Sequence, residues 1–197
     1  MNRLPRSFYT RPALIVAREL LGKILVRKIG GKTLAGKIVE VEAYLGESDP
    51  ASHAFRGKTE RNSVMFREGG YLYVYFTYGM HFCANVVTGN EGIARAVLLR
   101  AIEPLKGIEV MKKNRSFADK TALFNLTNGP AKLCEALKIK REQNGADLLG
   151  TGIFITSGKD VPNKNIVRTT RIGINTAKEK KWRFYVKGNP WVSRKQD

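Results

Sequence analysis

The run Ile38-Val39-Glu40-Val41-Glu42-Ala43-Tyr44 displays two carboxylates in a strongly cationic chain. A carboxylate held beside a reacting centre can take a proton from water. Side chains alternate along a strand, so Glu40, Glu42 and Tyr44 share one face and Val39, Val41 and Ala43 the other. For a lone glutamate, a solvated strand face is the simpler reading. Tyr44 and the nearby His53 shift the balance toward chemistry only modestly, because either residue could be purely structural.

A second group surrounds Tyr78-Gly79-Met80, where the β-prone runs Tyr71 to Thr77 and His81 to Val87 meet. A loop of these three residues pairs Thr77 with His81, Tyr75 with Cys83 and Tyr73 with Asn85. Leu72, Val74, Phe76, Phe82, Ala84 and Val86 then form an apolar face for the core. Tyr73, Tyr75, His81, Cys83 and Asn85 gather on the opposite face as a pocket wall. Tyr78 and Met80 are left at an exposed tip, where burial gains them little. Such side chains can serve as a wedge between base pairs, although packing on a neighbouring loop would equally account for Tyr78.

Other motifs fail on spacing. Gly31-Lys32-Thr33 and Gly57-Lys58-Thr59 each lack the earlier glycine of a phosphate-binding loop, Val26 and Ser52 standing there instead. Two histidines and no Cys-x-x-Cys pair argue against a zinc deaminase, and no dinucleotide fingerprint is present. No metal and no cofactor are expected.

The elements that must position these residues follow from periodicity and turn chemistry. Pro12 to Leu21 carries apolar residues at helical spacing and stops at Gly22. Lys23 to Ile29 and Thr33 to Tyr44 read as strands joined at Gly30-Gly31. Leu45 to Gly70 is polar and irregular, which predicts a surface loop carrying Ser52, His53, Arg56, Lys58, Thr59, Arg61 and Asn62. Ala94 to Ile102 reads as a buried strand, Leu105 to Lys112 as a short helix, and Asn128-Gly129-Pro130 as the start of another. Strands are expected near Gly152 to Thr156, Val167 to Asn175 and Arg183 to Val186.

Composition sets the partner class. At 197 residues the chain suits one domain, and 35 Lys and Arg against 17 Asp and Glu leave a formal charge of +18. Self-repulsion on that scale points to a polyanion, with nucleic acid the default partner. A membrane is disfavoured, since no apolar run reaches the roughly 18 residues of a spanning helix and the N-terminus does not resemble a signal peptide. The expected location is the cytoplasm, at the bacterial nucleoid, or the nucleus in a eukaryote. Cys83 and Cys134 read as buried free thiols.

An ordered series of segments closely resembles the alkyladenine (3-methyladenine) DNA glycosylase family. It comprises Val41 to Gly46, Ser52-His53, Arg61-Asn62, Met65-Phe66, Tyr71 to Asn85, Val97 to Pro104, Asn128 to Cys134, Arg171 to Gly173 and Arg183 to Trp191. With the elements above, the resemblance implies an α+β fold: a single compact domain over residues 1–197, with a curved, mostly antiparallel sheet, flanking helices and a protruding β-hairpin. It implies that Glu42 activates a water positioned with the help of Arg100 and the main-chain carbonyl of Ile172. Tyr44, His53 and Tyr75 would sandwich a flipped base, with Cys83 in the same wall. Tyr78, with Met80 beside it, would fill the vacated stack. Asn85 would crowd the 2-amino group of guanine. Lys58, Thr59, Arg61 and Lys132 are candidates for DNA-backbone contacts, though a solvated basic surface explains each about as well.

The implied partner is double-stranded DNA containing damaged purines, met by a monomer. Loss of the base leaves an oxocarbenium-like sugar, so one carboxylate can both deprotonate water and stabilise positive charge. This is monofunctional chemistry on 3-methyladenine, hypoxanthine or ethenoadenine, ending in an abasic site. A non-catalytic nucleic-acid-binding module is the main alternative, supported by charge and the aromatic tip, but it has no use for Glu42. A bifunctional enzyme nicking DNA through a lysine Schiff base is a third. Two positions depart from the family pattern: His81 stands where Tyr is expected and Glu60 where Pro is common. The N-terminal extension of vertebrate relatives is not expected.

Overall fold

The β-hairpin formed by β1 (Ile24–Ile29) and β2 (Lys32–Tyr44) turns on Gly30 and Gly31, with φ of 53° and 70°. Two consecutive positive φ angles define the turn whose twist matches the flanking strands, and Ile29 accordingly pairs with Lys32. This hairpin lies at the centre of a computed structural model that describes residues 2–117 and 121–195. Before it come helices α1 (Arg6–Tyr9) and α2 (Ala13–Leu20); after it come β3 (Leu72–Thr77), β4 (His81–Val87) and β5 (Ala96–Lys106). Helices α3 (Ile108–Asn114) and α4 (Pro130–Ala136) precede β6 (Ile153–Thr156), β7 (Ile166–Thr169) and β8 (Arg183–Val186).

All eight strands join one open antiparallel sheet in the order β3-β4-β5-β2-β1-β6, with β8 pairing β2 and β7 outside it, so the fold is α+β. β2 changes partner along one edge, from β1 at residues 32–37 to β8 at Glu40 to Glu42. β5 runs along its other edge. The acid-bearing half of β2 is therefore flanked on both sides, and Glu40 and Glu42 are fully buried. This sets aside the alternative of a solvated acidic face.

A bulge aims these acids. Leu34 and Ile38 face the main core with α2 and α4, and uninterrupted alternation would send Glu40 there too. The register instead passes over Val39 on β2 and Arg100 on β5. After the shift, Val41 and Ala43 occupy the core while Glu40, Glu42 and Tyr44 take the opposite face. The alternation expected across the whole run holds only from Glu40 onward.

The apolar face of the β3-β4 hairpin enters the main core at Leu72, Val74, Ala84 and Val86. The hairpin projects beyond β5, which pairs β4 only from Asn85 to Val87, so Phe76 near its tip is 40% exposed. A smaller cluster of Ala54, Val64, Met65, Phe66, Tyr73 and Ala96 packs on the other side of the sheet.

Three expectations are corrected. β5 continues to Lys106, and the helix begins only at Ile108 after Gly107 at φ 77°. β7 ends at Thr169, so residues 170–175 are loop. Ser52 and Asn62 are buried within the 45–70 segment, Asn62 because its side-chain amide donates to the carbonyls of His53 and Gly57 at 2.9 and 3.0 Å.

Candidate active site

A cavity of about 480 Å³ opens between the hairpin, the end of β2, the 51–53 turn and the 172–176 loop. It brings together Tyr44, His53, Tyr75, Tyr78, Cys83, Asn85, Arg100 and Ile172, eight of the residues expected from sequence. Hairpin parity places Tyr73, Tyr75, Cys83 and Asn85 on this wall, with the expected register. Lys58, Thr59, Arg61 and Lys132 lie outside the lining. Lys58 and Thr59 are exposed, Arg61 borders a neighbouring cleft, and Lys132 donates to the side-chain oxygen of Asn128 at 2.7 Å. Tyr78, at φ 51°, and Met80 are 81% and 69% exposed at the hairpin tip.

Beneath the cavity the two acids differ in hydrogen bonding. Glu40 accepts from Arg100 Nε at 2.9 Å, Arg183 Nε at 2.8 Å, and the Ser193 hydroxyl and N–H at 2.9 and 2.6 Å. Glu40 thus accepts four hydrogen bonds, three at Oε1 and one at Oε2. Glu42 accepts the Ile172 N–H at Oε1, 2.7 Å, and the Tyr44 hydroxyl at Oε2, 2.9 Å, with Arg100 Nη1 3.2 Å from Oε1. Glu42 thus accepts two hydrogen bonds to the four of Glu40, and keeps acceptor capacity at Oε2. At Ile172 the main-chain N–H meets Glu42, whereas the sequence directed attention to the carbonyl.

The electrostatics favour a charged Arg100 among neutral aromatics. Burial opposes its charge, but Glu42 and Glu40 outweigh that and hold the guanidinium ionised. Burial, followed by Glu42, pushes the Tyr44 phenol well up; burial also raises Tyr75, Cys83 and Tyr73, the last to about 12. Loss of hydration and then Arg61 lower the His53 imidazole below its usual range, keeping it neutral at pH 7.

His53 meets Tyr75 edge to face with ring centroids 4.4 Å apart, and its Nδ1 lies 3.0 Å from the Tyr73 hydroxyl. No purine fits between rings so placed. A sandwiched base therefore requires His53 to swing outward or Tyr44 to supply the opposite wall. Asn85 is anchored, its amide donating to the Tyr73 carbonyl at 3.2 Å. His81 and Glu60, the two departures from the family pattern, are exposed and outside the cavity lining.

Sequence reasoning missed the loop 173–176, Leu98 and Pro130, all of which line the cavity. It also missed the roles of Asp49 and Trp182, which pack around Arg171. No local pattern marks Asp49, which meets Arg171 from 122 positions away.

Residues 7–190 match the family model described as Methylpurine-DNA glycosylase (MPG). A relative from Carboxydothermus hydrogenoformans named "Putative 3-methyladenine DNA glycosylase" is 54% identical over 193 residues, covering 98% of this chain and 99% of its own. Relatives bearing the same name from Clostridium acetobutylicum and Prosthecochloris aestuarii are 50% and 51% identical. Each covers 97% or more of this chain and 92% or more of its own length.

Proposed function

The chain belongs to the methylpurine-DNA glycosylase family, and from that premise we propose that it flips alkylated or deaminated purines from duplex DNA and hydrolyses their N-glycosidic bond with a water activated by Glu42. The observation that carries this reading is the inequality of the two acids. Glu40 accepts four hydrogen bonds, whereas Glu42 accepts two and keeps acceptor capacity at Oε2. A water held there can lose its proton as the glycosidic bond breaks, while the carboxylate and its neighbours stabilise the cationic sugar.

Arg100 pairs with Glu42, and with the main chain at Ile172 it is the candidate for holding the water. Tyr44, His53, Tyr75 and Cys83 form the receiving wall. Anchored Asn85 crowds guanine. Tyr78, with Met80, enters the stack that the base leaves. Lys58, Thr59, Arg61 and Lys132 meet the DNA backbone. The substrates are 3-methyladenine, hypoxanthine and ethenoadenine, and the product is an abasic site. Among the described residues no lysine lines the cavity, which supports direct hydrolysis over a Schiff base.

Among the described residues no helix is long and apolar enough to cross a membrane. The formal charge of +18 suits a duplex partner.

The test is release of free base from defined duplexes carrying one lesion each, by the native chain and by Glu42→Gln. The native chain should release base and leave a site that breaks only after alkali, while the variant binds without release. Release by Glu42→Gln at the native rate would remove the assignment. Inactivity of the native chain on every lesion would favour a binding module.

A further inference from the structure

Arg171 begins the loop that carries Ile172, and its side chain is fully buried. Its guanidinium forks onto Asp49, Nη1 to Oδ2 at 2.5 Å and Nη2 to Oδ1 at 2.8 Å, and Nη1 also donates to the Ala43 carbonyl at 3.1 Å. Its Cζ lies over two rings, 4.7 Å from the Tyr44 centroid and 5.0 Å from that of Trp182.

Two of these partners and one chain neighbour of Arg171 bear on Glu42. Ala43 is the next residue on β2, Tyr44 donates its hydroxyl to Oε2, and Ile172, adjacent to Arg171, donates its N–H to Oε1. Asp49 is itself held by the N–H groups of Leu45 and Ala51, both at 3.2 Å, on the segment leading to His53. Arg171 thus ties together the end of β2, the turn before His53 and the 170–176 loop.

We propose that Arg171, anchored by Asp49, is a positioning residue that fixes the two groups donating hydrogen bonds to Glu42 and so sets the orientation of its carboxylate beneath the cavity. A buried ion pair is weak as a source of net stability, because desolvation offsets the attraction. This one is also incompletely satisfied, Arg171 Nε being buried with no hydrogen-bond partner among the described residues. Its distinctive product is geometry: a planar fork that grips a carboxylate while it lies over two aromatic rings, which a lysine cannot reproduce. Misplacement of a reacting group by about 1 Å can cost about a hundredfold in rate.

The proposal rests on Glu42 acting as the base, so its test separates the two. Arg171→Lys, Trp182→Leu, Glu42→Gln and the double variant Arg171→Lys/Glu42→Gln are compared on an ethenoadenine duplex. Lesion fluorescence reports capture of the base, and single-turnover release reports chemistry. Arg171→Lys should capture the base with affinity within about threefold of native while releasing it about 10- to 100-fold more slowly. In the Glu42→Gln background the same change should alter the residual rate little. Trp182→Leu, which leaves the ion pair intact, should show a smaller loss of the same kind and decides the matter if Arg171→Lys does not fold. Native release by the folded Arg171 variant, or by Trp182→Leu where it stands alone, overturns the proposal. So does equal slowing with and without Glu42. Full-rate release by Glu42→Gln overturns the base assignment first.

Discussion

Glu40 and Glu42, both fully buried on one face of β2, share the guanidinium of Arg100, which lies 2.9 Å from the first through Nε and 3.2 Å from the second through Nη1. Arg183 and Ser193 complete the shell of Glu40; Arg183 is the cross-strand partner of Glu42, but its side chain turns to Glu40. Two carboxylates and two guanidinium groups thus pair with one another away from water. Arg100 is central to that pairing.

The two acids should therefore fail in different ways. Glu40→Gln leaves two buried guanidinium groups short of a counter-charge and should lower stability by about 3–5 kcal/mol, read from urea unfolding. Glu42→Gln should leave the unfolding midpoint closer to native and reduce single-turnover base release by about 10²- to 10⁴-fold. The reverse pattern would exchange their roles.

Tyr78 stands at the exposed tip of a hairpin supported by β5 only at its base. Tyr78→Ser should slow excision more in fully paired duplexes than in mismatched ones, because flipping is least costly where pairing is already weak. Equal slowing in both would argue against a wedge.

His53 titrates below its ordinary value near 6.5, through loss of hydration and then the Arg61 charge. The unfolded chain then takes up the proton first as pH falls from about 6.5 toward the lowered folded value, so stability declines through that window and rises again with pH. His53→Gln should flatten this slope. The chain has two histidines, and a His81→Asn variant assigns their ring resonances in an NMR titration. A His53 midpoint at or above 6.5 would contradict the desolvated setting.

Asn85 cannot turn aside easily while its amide is held by the Tyr73 carbonyl. Asn85→Ala should admit guanine and raise its slow release from undamaged duplex, with smaller effects on hypoxanthine. Unchanged selectivity would place the guanine filter elsewhere.

Much of the scaffold is legible locally. The Gly30-Gly31 turn, the parity of the β3-β4 hairpin and the Pro130 helix start all depend on neighbours a few residues apart, and each appears where turn chemistry and periodicity put it. The end of β7 and the burial of Asn62 depend on partners the periodicity does not contain. Arg171 leaves the sheet to reach Asp49, 122 positions away.

The acids mark the boundary most clearly. Sequence placed Glu40, Glu42 and Tyr44 on one face of a strand, because side-chain alternation is a local property of an extended backbone. It could not say which way that face points or which acid stays available. The first depends on the Val39 and Arg100 irregularity between two strands far apart in sequence. The second depends on Arg183 and Ser193, brought to Glu40 from more than 140 positions along the chain. Hydrogen bonding of this kind belongs to packed neighbours, and only the folded chain determines who they are.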